Sequence, residues 1–208
     1  DSTRTTFNLS STDAEVALTV YSAFLNDATG TWSTTLKNDL ELFYEGKLAM
    51  MFAPSWRAFD IIEAAPSIEF GLAPLPQLPG NDSVYYSMYW GEAVSKYCKN
   101  KALAWDFIKY LSTAEVQKEL YSNASQIRSF GEPYSRMDLA ESLMDQTYVS
   151  AIIEMAPYMK SWQMGDQEFV EQKLNEAITN VVEYDMEPAS ALEDAEVEIN
   201  DQLAQTNK

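Results

Sequence analysis

Leu48-Ala49-Met50-Met51-Phe52 is a continuous apolar run that starts just after Gly46. Gly46 stands where a left-handed residue would close a helix over about Thr34 to Glu45, whose apolar stripe is Leu36, Leu40 and Phe43. Such a run directly after a helix reads as a strand buried on both faces. A strand of that kind commits the chain to an α/β arrangement, with helices covering a sheet.

The alternation recurs on either side. An apparent strand lies within the first residues, and Ile68 to Leu72 and Val84 to Trp90 read as two more. Thr12-Asp13-Ala14-Glu15 is a capping box that opens a helix with Ala17, Tyr21, Phe24 and Ala28 on one face, ending near Gly30. Ser55 caps a short helix through Glu63, and Pro66 ends it. Pro74, Pro76, Pro79 and Gly80 make a stiff connector. Asn100 caps a helix carrying Leu103, Phe107 and Leu111, and Ser112-Thr113-Ala114-Glu115 opens the next. Residues 123–136 read as a long ordered loop. Beyond it the chain is helical over about 138–144, 147–156, 166–183 and 188–204, the last with Ala191, Ala195, Ile199 and Leu203 four apart. About eight helices against about four strands leave too little sheet for the helices to cover. The expectation is an incomplete sheet, with further strands upstream of residue 1.

Composition narrows the function. Fourteen Lys+Arg against 32 Asp+Glu give a net charge of −18. A chain this acidic repels phosphate backbones and anionic lipid, so nucleic acid and membrane surfaces are not expected partners. There is no histidine, which excludes Ser-His and Cys-His nucleophiles and His-ligated metals. Cys98 is the single cysteine, so no intrachain disulfide forms; it reads as a small packed residue. The seven glycines form neither a P-loop nor a dinucleotide fingerprint. No cofactor and no metal is expected. Glu41/Glu45 and Glu193/Asp194/Glu198 resemble acid–base pairs, but with so many acids they read as solvated helix faces.

Five segments in order sharpen the reading. They are Phe43-Tyr44-Glu45-Gly46-Lys47-Leu48-Ala49-Met50-Met51-Phe52-Ala53-Pro54-Ser55-Trp56; Phe70-Gly71-Leu72-Ala73-Pro74-Leu75-Pro76; Tyr89-Trp90-Gly91-Glu92-Ala93-Val94-Ser95; Lys99-Asn100-Lys101-Ala102-Leu103-Ala104-Trp105-Asp106-Phe107-Ile108-Lys109-Tyr110-Leu111; and Ala114-Glu115-Val116-Gln117. Their order and gaps resemble the extracellular solute-binding proteins of ABC importers, in the carbohydrate-binding family typified by maltose-binding protein. The resemblance implies the helix-rich C-terminal portion of a two-lobed, periplasmic-binding-protein-like α/β fold. It implies residues 1–78 and 135–208 in the C-terminal lobe and 79–134 in the N-terminal lobe, with the proline connector at a hinge crossing. It further implies capture of a sugar or oligosaccharide between lobes and delivery to the transmembrane subunits of an ABC permease. The setting would be extracellular or periplasmic, with a lipid anchor on an upstream cysteine. The missing N-terminal half would be a partner, and without it the chain is expected to dimerise.

Trp56 is the leading candidate for ligand binding. A flat indole covers the C–H face of a sugar, and free amides at a helix start would serve its hydroxyls; Ser55 is grouped with it. The matching family position carries a stacking aromatic. Tyr89 and Trp90 flank Gly91, which permits close approach of backbone to a ligand. Arg128 could fork onto hydroxyls or a carboxylate, or pair with Glu132. Trp162 falls where the family lines its cleft, or it packs. Trp32 and Trp105 read as structural. Two rival readings stay open: a carbohydrate-active enzyme, distinguished by turnover, and an acidic helical interaction domain, distinguished by the lack of ligand-dependent stabilisation.

Overall fold

A computed structural model describes residues 6–25, 30–80, 82–162 and 164–206. Among them, the α-helices are α1 (Thr12–Ser22), α2 (Asp39–Tyr44), α3 (Arg57–Ala64), α4 (Lys101–Leu111), α5 (Ala114–Ile127), α6 (Ser150–Met155), α7 (Gln167–Tyr184) and α8 (Pro188–Thr206). Two short strands, β1 (Tyr85–Tyr86) and β2 (Met159–Lys160), pair in parallel, Tyr85 opposite Met159. The chain divides into two compact units, one built from residues 1–37 and 162–208, the other from 38–161.

In the first unit α7 and α8 form a hairpin. Asp185 turns the chain at φ 55°, and the Met186 amide reaches back to the Asn180 carbonyl at 3.0 Å. Ala191, Ala195, Ile199 and Leu203 are all buried, as their four-residue spacing predicts. Leu18 of α1 packs on Ala177, Ala191, Leu192 and Ala195, where small side chains let the helices approach. At the other end Phe7 packs on Val170, Ile199 and Leu203. The first described residues are not a strand; side chains of α8 hold them instead. Glu196 Oε2 accepts from the amides of Leu9 and Ser10, each at 2.6 Å. Those amides hold the Glu196 carboxyl below its usual range, the Ser10 bond contributing most.

The second unit centres on Ala58, Phe130, Leu143 and Val149. A run of rings crosses it. Phe59 stacks on Phe130 at 4.1 Å, Phe130 lies 5.6 Å from Tyr148, Tyr148 lies 5.0 Å from Phe70, and Phe43 meets Phe70 edge-on at 6.1 Å. This core joins segments from both sides of residue 134.

Several local expectations are corrected. The α1 cap is Ser11, whose hydroxyl accepts from the Ala14 amide at 3.2 Å. Its inward residues are Leu18 and Ala14, while Ala17, Tyr21 and Phe24 are exposed, because docking through Leu18 turns the other face outward. Ala28 lies outside the described residues. The helix expected from Thr34 begins at Asp39, where Asn38 caps the Leu40 amide at 2.9 Å. Residues 48–52 and 68–72 are not strands, and Met50 is 85% exposed. A strand needs a neighbour for its amides and carbonyls, and the described residues form only the β1–β2 pair. The strand expected over 84–90 shrinks to β1. The capping box expected from Ser112 to Glu115 is not formed, because the Ser112 hydroxyl donates to the Ile108 carbonyl and that of Thr113, the residue at the cap, to the Tyr110 carbonyl, each at 2.8 Å. Helix α5 extends to Ile127, so the polar residues from Asn123 are a solvated helix surface rather than the start of a loop. The segment 137–143 is a 3₁₀ helix, and the helix expected over 147–156 is α6 followed by a 3₁₀ turn holding Pro157. Trp105, expected to pack, is about half exposed, because α4 turns no residue fully inward.

Candidate functional site

The site begins where residues 51–54 lead into α3. Trp56 is the N-cap residue of α3 and keeps 47% of its surface exposed. An indole of that size normally buries most of its area, so a half-bare one at a helix entrance has a face to offer. Its position is fixed from beneath, because Ala58 and Ile61 of the same helix are buried in the unit's core.

The hydrogen-bond donors differ from those expected. The amides of Arg57, Ala58 and Phe59 are taken by the carbonyls of Pro54, Ser55 and Trp56, at 3.0, 3.2 and 3.1 Å. A tight 3₁₀ turn satisfies the helix start internally, so the free amides read from the sequence are not there to meet a ligand. Ser55 is also not the side-chain cap; its carbonyl takes the Ala58 amide and its side chain is exposed. Polar contacts beside Trp56 must therefore come from side chains.

A cavity of about 200 Å³ in the same unit is bounded by Asn38, Asp39, Leu40, Met51, Phe52, Ala53, Pro54 and Arg57, and Trp56 is not part of its wall. Arg57 Nη1 donates to Asp60 Oδ2 at 2.8 Å, one turn along α3. Asn38, Asp39 and Arg57 were not singled out from the sequence. The only available signal was an arginine directly after the exposed tryptophan, facing a capped helix start.

Arg128 lies over the Phe59 ring at 4.9 Å, and its Nη2 meets Glu132 Oε1 at 2.8 Å. Of the two roles weighed for it, the pair with Glu132 is formed, and stacking on Phe59 holds the guanidinium beside α3. Phe59 follows Trp56 by three residues, so both rings sit at the start of one helix. Tyr89 and Trp90 follow β1, and the Ser87 amide bonds the Lys160 carbonyl at 3.0 Å just before them. Trp90 is fully exposed and Tyr89 nearly so. A side-chain carbon added at Gly91 would meet no atom within 4 Å, so nothing in the chain itself requires glycine there. Trp162 lies in the other unit, its ring 3.9 Å from Phe7 and packed on that unit's core. Among the described residues no group of three or more acidic or cysteine side chains is placed to hold a metal. No described helix is long and apolar enough to cross a membrane.

Comparison with known proteins gives this geometry a setting. The family model described as bacterial extracellular solute-binding protein matches residues 10–118. Two relatives named "Putative binding protein", from Brucella abortus (strain 2308) and Brucella suis biovar 1 (strain 1330), are each 25% identical over 167 residues, which cover 76% of this chain. The chain spans 40% of the length of either one. A cyclo/maltodextrin-binding protein solved in complex with maltotetraose superimposes with a TM-score of 0.76 at 22% identity. The match covers 96% of this chain and 50% of that one. The fold is therefore part of a periplasmic-binding-protein-like fold, helix-rich with a small sheet.

Proposed function

Since the chain belongs to the bacterial extracellular solute-binding protein family, we propose that it captures a sugar or oligosaccharide between two lobes and delivers it to the permease of an ABC importer. Trp56 carries this reading: a half-exposed indole at a helix entrance. The ring covers the C–H face of a sugar, and polar side chains meet its hydroxyls. The structural neighbour, a maltodextrin-binding protein, supports a saccharide over other solutes. Family and neighbour alike are binding proteins, which supports release of the ligand unaltered. The protein would act outside the cytoplasmic membrane, anchored through a lipidated cysteine of a longer polypeptide.

Residues 1–78 and 135–208 are assigned to one lobe and 79–134 to the other, with Tyr121 and Phe130 of the latter segment reaching into the core built on Ala58, Leu143 and Val149. The support is α4, which buries no residue and leaves Leu103, Phe107 and Tyr110, spaced for one helix face, more than half exposed. Such a face is built to be covered. The half of the neighbour's fold that this chain does not match would cover it. Ser55, Trp56, Tyr89, Trp90, Gly91 and Arg128 are assigned to the ligand. Trp162 is assigned a holding role, clamping Phe7. Closure on the ligand would be driven by tighter binding in the closed state.

The test is a tryptophan-fluorescence titration with a panel of oligosaccharides, maltotetraose included, beside Trp56→Ala. A saturable change that the variant loses supports the reading. No change with any sugar, in protein shown to be folded, overturns the carbohydrate assignment. A change that survives Trp56→Ala keeps the function and removes Trp56 from it.

A further inference from the structure

Trp56 stands on a turn that is held from a distant part of the chain. The Phe59 amide donates to the Trp56 carbonyl at 3.1 Å, so the residue bearing the indole and the residue bearing the next ring close one tight turn. Phe59 is half-buried, and its ring stacks on Phe130 at 4.1 Å with the two planes 17° apart. The Arg128 guanidinium lies over the same ring, 4.9 Å from its centre. A planar cation is drawn to the negative face of an aromatic ring and packs flat against it.

Arg128 is braced in turn. Its amide donates to the Ala124 carbonyl at 3.1 Å, where α5 ends. Its Nη2 meets Glu132 Oε1 at 2.8 Å. Between these two residues Phe130 is buried in the unit's core. Gly131 passes so close to α5 that an added side-chain carbon would stand 2.6 Å from the Tyr121 carbonyl oxygen. The guanidinium therefore meets Phe59 from a loop that is itself pinned to α5 and to the core.

We infer that Arg128 is a positioning residue for Trp56: braced by Glu132, it confines the Phe59 ring together with Phe130, and so sets the turn that aims the indole. The inference rests on the sugar-binding reading of Trp56 and makes the part of Arg128 in it indirect. An exposed indole on an unheld turn samples several orientations, and a ligand must then select one of them. A turn held in advance removes that cost from binding.

The experiment uses the whole chain with fluorotryptophan at its five tryptophans. It compares wild type with R128M, R128K, E132Q, F59L and the R128M/F59L double variant, each checked by circular dichroism. The fluorine resonance of Trp56 is identified by its loss in W56F. Without ligand, R128M and F59L should each shift that resonance while those of Trp32, Trp90, Trp105 and Trp162 stay in place. E132Q should act in the same direction, and R128K should shift it less than R128M, since it keeps the charge without the planar fork. Calorimetric titration with the oligosaccharide panel, maltotetraose included, should show R128M weakening binding roughly three- to tenfold. R128K should recover part of that loss, and R128M should add nothing in the F59L background. A Trp56 resonance unmoved by R128M would overturn the proposal. So would a full further loss from R128M on top of F59L, which would put Arg128 on the ligand itself and leave the sugar reading standing. A folded wild type that binds no sugar of the panel would sink the sugar reading and this role with it.

Discussion

Asn200 grips Phe7 by both of its backbone groups. Its Oδ1 accepts from the Phe7 amide at 2.7 Å, and its Nδ2 donates to the Phe7 carbonyl at 3.1 Å. One amide side chain thus does what a neighbouring strand would do, while the Phe7 ring enters the core beside Ile199. Asn200→Ala should cost about 1–3 kcal/mol, because it leaves two half-buried backbone groups without partners. Thermal melts should show a drop of about 2–12 °C. Asn200→Asp, which keeps the acceptor oxygen but sets a carboxylate oxygen against the Phe7 carbonyl, should lose at least as much as Asn200→Ala at neutral pH. An unchanged melt in Asn200→Ala would refute the grip.

Glu196 secures the next two residues and makes that hold sensitive to acid. Its carboxyl lies below the ordinary value of 4.5 because the Ser10 and Leu9 amides favour the charged form. A depressed carboxyl contributes fully above the unfolded value and loses its contribution as pH falls through the folded one. The melting temperature of the wild type should therefore decline below about pH 4.5 more steeply than that of Glu196→Gln. The comparison is a melt series from pH 7 to pH 3, and parallel curves would count against the assignment.

Asp185 is the described non-glycine residue with positive φ, and it ends α7. It occupies a left-handed conformation that costs an L-residue about 1 kcal/mol, with a carboxylate at the unfavourable end of the helix dipole. Asp185→Gly should raise stability by about 0.5–1 kcal/mol and Asp185→Asn by a few tenths. Denaturant melts at equal slope would measure both.

Gly131 is tight for a different reason. An added methyl would stand 2.6 Å from the Tyr121 carbonyl oxygen and 2.6 Å from its ring carbon Cδ2. Backbone cannot swing aside as a side-chain tip can, so Gly131→Ala should destabilise by about 1–3 kcal/mol. The shift would pass to Tyr134, 5.4 Å from the Tyr121 ring, and to the adjoining loop that carries Arg128 and Glu132. A protein that melts as wild type would show the loop has slack the structure does not suggest.

The bare face of α4 should make the isolated chain associate as concentration rises. Phe107→Glu should suppress that association in sedimentation velocity while far-ultraviolet circular dichroism stays the same. Persistent association would move the contact to another surface.

The helical half of the fold was readable because its signals are local. Ala191, Ala195, Ile199 and Leu203 mark one face by spacing alone, and Asn100 announces α4 through its own side chain, which accepts from Leu103 at 3.2 Å. The strands were misread because a strand is defined by its neighbour. Leu48 to Phe52 carries the composition of a buried strand, yet nothing in those five residues says what lies alongside. At the site, Trp56 was legible as an aromatic at a helix start. The closed turn that consumes the amides of Arg57 to Phe59 was not, because serine after proline suits a capped start as well as a 3₁₀ turn. Asn38, Asp39 and Arg57 meet through folding rather than through any spacing along the chain.

The contact between Asn200 and Phe7 also sets an order of events. The two residues are 193 positions apart, and the whole of residues 38–161 lies between them. During synthesis, Phe7 emerges long before the side chain that will hold it exists. The intervening unit has all its residues available first, so its ring-lined core is free to form while α1 still lacks α7 and α8. Anything that cuts the chain short of α8 would leave residues 7–10 and α1, and not only the shortened end, without a place to dock.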